Sequence, residues 1–283
     1  GKFGDAAAEG GTRIETERKE RWVGYPAMNA ICRNLLRHEN IKVKLQTRAD
    51  ATYEEDGDSP WDLHHGKNKA PLGSFDWLVA TDRNSGAHHR KDLSHARVDE
   101  FGRGVRGIRS VKSIAAMVAF EKPLGLEMDG ITFDPEATNG KFGSLGWAAR
   151  DTSKPGRERS DGRECWVLQS HPDAAKEVLR GMKNIGDIRE RAKDVLVGDF
   201  LKSIPLLCDD ENVPVPSVVH AVGHRWGAAF PVPSEEYAGM DSQCMPDRQF
   251  VACGDYFGAL SGRIEGAYLS GISAANELCG AIE

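Results

Sequence analysis

Phe250-Val251-Ala252-Cys253-Gly254-Asp255, followed after a short loop by Gly262-Arg263-Ile264-Glu265-Gly266-Ala267-Tyr268-Leu269-Ser270-Gly271, is the stretch whose reading decides the fold. The first part is an apolar, β-type run closed by Gly-Asp. The second is a helix whose small residues Gly262, Gly266, Ser270 and Ala274 recur one turn apart, so one face carries almost no side chain and something flat can lie against it. An Asp at a strand end can accept hydrogen bonds from a sugar-like hydroxyl chain, and the free N–H groups of a helix start favour an electron-rich group. A strand and helix packed closely in any α/β protein would share the small face, but Gly-Asp together with Gly-Arg-Ile-Glu-Gly-Ala is more particular.

Upstream, Trp22-Val23-Gly24-Tyr25-Pro26 reads as a strand end and turn, and residues 27–38 place Ile31, Leu35 and Leu36 on one face of a short helix. Ile41-Lys42-Val43-Lys44-Leu45 alternates apolar and charged residues, which predicts a half-buried strand. A polar hairpin-like region covers residues 50–58, with Trp61-Asp62-Leu63 as its returning strand and residues 75–81 as a more buried one. Strand, helix, strand, hairpin and strand make a fragment of an α/β nucleotide-binding layout. Beyond Arg83 the character changes. Strands are expected at 114–120, 143–149, 165–169 and 218–222, a helix over 173–201, and turns at Pro123-Leu124-Gly125 and Ser153-Lys154-Pro155-Gly156-Arg157. The prediction is an α/β chain in which an α+β domain with an antiparallel sheet (86–240) is inserted between two pieces of a ligand-binding domain (1–85 and 241–283).

The totals narrow the function. The chain has 283 residues, 43 acidic against 37 basic, and a formal net charge of -6 in mixed sign, which recommends neither nucleic acid nor an anionic membrane surface as partner. The longest unbroken apolar run, Ile114 to Phe120, has seven residues against the roughly twenty a membrane helix requires. A soluble, cytoplasmic protein is the default expectation. The six cysteines (Cys32, Cys165, Cys208, Cys244, Cys253, Cys279) show neither a C-x-x-C pair nor a His at metal-ligand spacing, so they read as reduced, mostly buried thiols with no zinc site. His64-His65 and His88-His89 are adjacent pairs that on a strand point to opposite faces, and read as loop or surface histidines.

Gly102-Arg103-Gly104-Val105-Arg106-Gly107 satisfies G-x-G-x-x-G. It lacks the context of a dinucleotide fingerprint, because residues 94–100 are polar rather than strand-like and a strand follows. It is read as a flexible basic loop.

Four segments carry a family likeness: residues 22–30; 145–157 continuing to 170, with the Ser-Lys-Pro-Gly-Arg turn; His224-Arg225-Trp226-Gly227-Ala228-Ala229; and 253–271. Together they resemble the renalase-like branch of the amine-oxidase fold of FAD-dependent oxidoreductases. The likeness implies a discontinuous, Rossmann-like FAD domain and a substrate domain roofing the flavin. Carried over, Gly254 and Asp255 would hold the ribityl or pyrophosphate part of FAD. The backbone of Gly262, Arg263, Ile264, Glu265 and Ala267 would meet the pyrimidine edge, where a helix N-terminus stabilises gathered charge. Ala49, where the family usually shows Val, would contact the adenine through its main chain, and Thr81 would lie beside the nucleotide, followed by Asp82 in place of the usual Pro. The family's Gly-rich βαβ unit would lie upstream of residue 1, so the chain, which opens without Met, reads as truncated at its start.

By the same resemblance the function is hydride transfer from a small substrate, a dihydronicotinamide-type nucleotide or an amine, to non-covalent FAD, with O2 as electron acceptor and peroxide as product. Candidates for the substrate roof are Trp147, Arg150, His224, Arg225 and Trp226, since indoles sandwich planar rings and arginines grip phosphate or carboxylate. Two rivals stand beside it. One is a degenerate or non-catalytic fragment acting as an interaction module; the other is a desaturase or mutase of the same fold.

Overall fold

The structure is a computed structural model, and it describes residues 1–7, 11–14, 22–55, 59–83 and 98–283. In chain order the first half holds β1 (Phe3–Ala6), β2 (Thr12–Ile14), α1 (Ala30–Leu35), β3 (Ala49–Tyr53), β4 (Trp61–His65), β5 (Pro71–Phe75), β6 (Leu78–Ala80), α2 (Asp99–Gly107), β7 (Arg109–Phe120) and β8 (Gly130–Thr132). The second half holds β9 (Leu145–Arg150), β10 (Glu164–Ser170), α3 (Pro172–Val178), α4 (Ile185–Cys208), β11 (Val218–Val232), α5 (Glu235–Ala238), β12 (Gln243–Met245), β13 (Phe250–Ala252) and α6 (Ile264–Ile282). Contacts divide the chain into two compact units: Gly1–Lys42 with Lys112–Gly227, and Val43–Val111 with Ala228–Glu283. Each unit is built from separated stretches of chain, and the first 42 residues group with the middle of the sequence.

The first unit is organised on a seven-stranded sheet of order β11-β7-β10-β9-β8-β1-β2. Its centre is antiparallel: Trp166 faces Val118 and Arg150, and Leu168 faces Ala116 and Ala148. Because side chains alternate along each strand, this register sends Ile114, Ala116, Val118, Trp166 and Leu168 to one face, where they form the core with Ala192, Leu196, Phe200 and Ile204 of α4. The other face carries Ala115, Met117, Val167, Gln169 and Trp147, with Gln169 opposite both Trp147 and Ala115. On β11, Ala221 packs on the core and a Cβ at Gly223 would stand 2.0 Å from the Arg189 carbonyl oxygen of α4, so 221, 223 and 225 lie on the helix side. His224 and Trp226 therefore lie on the open side.

The second unit holds two small sheets. The antiparallel sheet β3-β4-β5 has Trp61 opposite Tyr53 and Phe75. The sheet β12-β13-β6 contains the parallel pair β13–β6, with Val251 beside Val79 and Ala252 beside Ala80. Trp61 joins the two by donating its Nε1–H to the carbonyls of Arg248 and Gln249, both at 2.9 Å. Around it Phe101, Phe250, Tyr237, Tyr256 and Phe257 close an aromatic core.

Several sequence expectations are corrected here. Residues 41–45 form no strand: Ile41, Val43 and Leu45 are exposed, and the chain turns at Gln46, whose φ is +55°. Alternation alone had no sheet partner to pair with. The strand begins instead at Ala49. Residues 22–26 turn without a strand, and α1 buries none of its side chains. The helix expected over 173–201 is two helices, broken at Gly181 (φ +75°) and restarted by Asn184, whose side chain accepts from the N–H groups of Gly186 and Asp187. Residues 102–107 belong to helix α2 rather than to a loop. The middle glycine of that triplet serves packing, since a Cβ at Gly104 would stand 2.2 Å from the Tyr237 hydroxyl. A strand follows α2, as expected of a sequence that is not a dinucleotide fingerprint. His88-His89 lies outside the described residues.

Candidate functional site

Two strands of the second unit end side by side. β13 runs parallel to β6, Cys253 N–H donates to the Ala80 carbonyl at 3.1 Å, and the chain then leaves through Gly254. Gly254 has φ +145°, and a Cβ there would stand 2.8 Å from the Thr81 carbonyl oxygen and 2.9 Å from the Tyr256 ring, so only glycine fits between the two strand ends. Its N–H donates to Ser270 Oγ on α6 at 2.9 Å, and Gly262 N–H donates to the Asp255 carbonyl at 2.6 Å. Thr81, Gly254, Asp255 and the start of α6 are thereby held in one place, at the carboxyl ends of parallel strands, where open α/β sheets bind their ligands.

The small face of α6 is answered by the protein itself. A Cβ at Gly266 would stand 2.2 Å from the Leu260 carbonyl oxygen, and Ala274 packs with Val251 and Cys253 of the strand end. Gly266, Ser270 and Ala274 are buried, so the flat partner expected from sequence is backbone, and close helix–strand packing explains the repeat. The start of α6 is different. Its N-cap is Arg263, with no side-chain cap, and Glu265 stands in the first turn. The 19-residue helix thus presents the N–H groups of its first turn without a capping side chain. Asp255 is exposed, and among the described residues its carboxylate has no hydrogen-bond or ion-pair partner. Uncapped donors beside a free carboxylate fit a ligand with an electron-rich edge and a hydroxylated chain, which is the chemistry of a flavin and its ribityl group. Ala49 opens β3 in the other sheet of this unit, opposite His65.

The five roof candidates lie in the first unit and separate by face. Trp147, His224 and Trp226 are on the open side of the seven-stranded sheet. Trp147 stacks on Phe3 with centroids 6.3 Å apart and planes 4° apart, and a Cβ at Gly130 would stand 2.7 Å from the indole. Gly130 and Phe3, which sequence reading passed over, are what hold this indole flat. His224 and Trp226 touch ring to ring at 4.5 Å, and Trp226 is 52% exposed. Arg150 and Arg225 point the other way. Arg150 donates to the carbonyls of Leu126 and Met128, lies 5.3 Å over the Trp166 ring, and faces Glu164 at 3.4 Å and Asp129 at 3.6 Å. Its Nε is not aligned for a hydrogen bond to Glu164, so that contact is ionic. Arg225 has a buried Nε without a hydrogen-bond partner.

Among the described residues no cluster of three or more His, Cys, Asp or Glu could hold a metal ion. No helix among them is long and apolar enough to cross a membrane. All six cysteines are free thiols; Cys253 alone is buried, while Cys32 and Cys279 are exposed, which corrects the expectation that most are buried.

No known family's sequence profile matches the chain. Solved structures do share its fold. A protein from Exiguobacterium sp. 255-15 described as a protoporphyrinogen oxidase superposes with a TM-score of 0.56 at 12% identity, over 90% of this chain and 51% of that one. Cyclohexylamine oxidase from Brevibacterium oxydans IH-35A gives 0.53 at 12% identity, over 84% and 49%. A reduced UDP-galactopyranose mutase gives 0.56 at 15% identity, over 86% and 48%. The chain spans about half the length of these structures. At such identities the likeness is one of fold: a mixed α/β architecture with a large multi-stranded sheet, as expected of the amine-oxidase fold.

Proposed function

We propose that this chain belongs to an FAD-dependent oxidoreductase that oxidises a small substrate, a dihydronicotinamide-type nucleotide or an amine, with O2 as the acceptor. The observation that carries the reading is the uncapped N-terminus of α6 beside the free Asp255 carboxylate, at the paired ends of β6 and β13. A bound flavin would supply the redox chemistry: for the dihydronicotinamide case, ring plus O2 plus a proton gives the oxidised ring and H2O2. The protein's share is binding and electrostatics. Asp255 accepts from the hydroxylated chain, and the first-turn N–H groups of Ile264, Glu265 and Gly266 favour the electron-rich pyrimidine edge without reorganising. Thr81 offers its main chain to the nucleotide. Trp147, His224 and Trp226 form the substrate surface on the open face of their sheet, and Arg150 has no part in it.

The test is a titration of FAD into the purified chain, followed by flavin fluorescence quenching and the bound visible spectrum, with Asp255→Ala alongside. Saturable quenching that Asp255→Ala weakens about tenfold or more supports the site, a loss of the size expected for a hydrogen-bonded charged group. Quenching insensitive to Asp255 overturns it. Absence of binding in this chain and also in a longer one carrying the βαβ unit would establish the non-catalytic reading. The mutase among the similar structures keeps a non-oxidase reading second; flavin binding without peroxide formation from any dihydronicotinamide or amine would favour it.

A further inference from the structure

The open face of the seven-stranded sheet carries apolar side chains around its centre, and two polar ones, Gln169 and Thr132, flank Trp147 from the neighbouring strands. Gln169 on β10 stands opposite Trp147 on β9 and Ala115 on β7, with Val167 and Met117 as the next pair along. Directly opposed side chains on one sheet face lie about 5 Å apart at Cβ, so the amide stands alongside the indole. Gln169 is half-buried, and among the described residues its side chain has no hydrogen-bond partner. A primary amide is at once donor and acceptor, and this one, half-buried and without a partner among the described residues, can exchange water for a ligand group that matches both. Trp147 is fixed flat by Phe3 and Gly130, so a planar ring lying along the indole would bring an edge substituent to the Gln169 amide.

Resting on the reading of this face as the substrate surface, we infer that Gln169 is a specificity-determining residue, which selects a planar ring bearing a carboxamide over the same ring bearing a carboxylate. The physical ground is complementarity. A carboxamide offers the donor and acceptor that match the Gln169 pair, whereas a carboxylate offers acceptors only and must give up water on a surface where Ala115, Met117, Val167 and Trp147 supply no charge.

Equilibrium dialysis of the full chain, with and without saturating FAD, against nicotinamide and nicotinate, planar rings that have no hydride to give a flavin, tests this. Gln169→Met, similar in length and apolar, is compared with wild type, and thermal melts of both confirm an intact fold. Wild type is expected to prefer the amide by about tenfold or more, and Gln169→Met to lose that preference by weakening amide binding alone. If wild type binds both rings equally, or if Gln169→Met keeps the preference, the role of Gln169 is overturned while the substrate surface stands. If wild type binds neither ring under either condition, the face is not a substrate surface, and the proposed function for this face falls together with the inference.

Discussion

Arg150 and Arg225 sit on strands that also carry indoles, and sequence offered no way to tell which side of the sheet each would take. A period of two assigns alternate residues to opposite faces, but which face is covered depends on where α4 docks. That docking made Trp147 a surface residue and turned Arg150 inward to Glu164, whose Oε1 accepts from Trp166 Nε1 at 2.7 Å and from Leu124 N–H at 3.1 Å. Replacing Arg150 with Met leaves Glu164 buried without its cation, and the expected cost is about 3 kcal/mol in urea unfolding, at the lower end for a broken buried pair because two hydrogen bonds remain. Ligand affinity of the folded fraction should be unchanged; a large loss of affinity in a stably folded Arg150→Met protein would return Arg150 to the substrate surface. Tyrosines give a second test at this scale. Burial, with Glu236 and Glu100 nearby, pushes the Tyr237 phenol up to about 12, and burial pushes Tyr256 higher still. Both phenols are neutral in the fold, while the unfolded chain loses their protons near about pH 10. Their contribution is therefore complete below about pH 10 and is lost as pH rises toward the folded values. Melting temperature should fall from pH 10 upward, and Tyr237→Phe should flatten that fall. An alkaline limb identical in the variant would show that this phenol does not titrate with unfolding.

Among the elements, β13 and α6 were the most legible, because Gly-Asp and the small-residue repeat specify both a strand end and a close helix contact within a few residues. Strands β7 and β10 were nearly as clear, being apolar runs buried in a sheet centre. The reading failed where an element depends on remote partners: β1 and β2, at the start of the chain, join the far edge of the seven-stranded sheet through β8, and nothing local in Phe3–Ala6 announces that pairing. It failed also for α2, whose glycines suggested a loop although Gly104 is required for contact with Tyr237. Of the proposed site, Asp255 and the α6 start could be put forward from local chemistry, whereas Gln169 could not, because its cross-strand neighbours are known only from the strand register. Gly266→Ala tests the element-level account. The added methyl group meets the Leu260 backbone, which cannot move aside as a side-chain tip would, so a loss of about 1–3 kcal/mol is expected. The same change displaces the first turn of α6, so FAD affinity should fall in the fraction that stays folded. Unchanged stability would mean that α6 and the 255–261 loop are not packed as described.

At the scale of the whole chain, each candidate surface belongs to a different compact unit: Asp255 and the start of α6 to one, Trp147, Gln169, His224 and Trp226 to the other. A ligand that binds only the folded state stabilises what it touches by an amount set by its concentration over its Kd, about 2.7 kcal/mol at a hundredfold excess. That stabilisation need not be uniform, because amide exchange reports local openings as well as global unfolding. Saturating FAD is therefore expected to slow hydrogen–deuterium exchange most in β6, the 254–263 loop and the first turns of α6, whose backbone groups the flavin would engage. A dihydronicotinamide ring added separately should instead slow exchange in β9, β10 and the 222–226 part of β11, where the indoles and Gln169 stand. The two footprints can be read by mass spectrometry of the same peptides from the two separately liganded samples. Protection by FAD confined to β9 and β10 would mean that the flavin occupies the open sheet face and that the Gly254–Asp255 end of β13 is a structural joint. Protection at β13 and α6 by FAD, with the ring analogue protecting β9 and β10, would assign cofactor and substrate to the surfaces proposed for them.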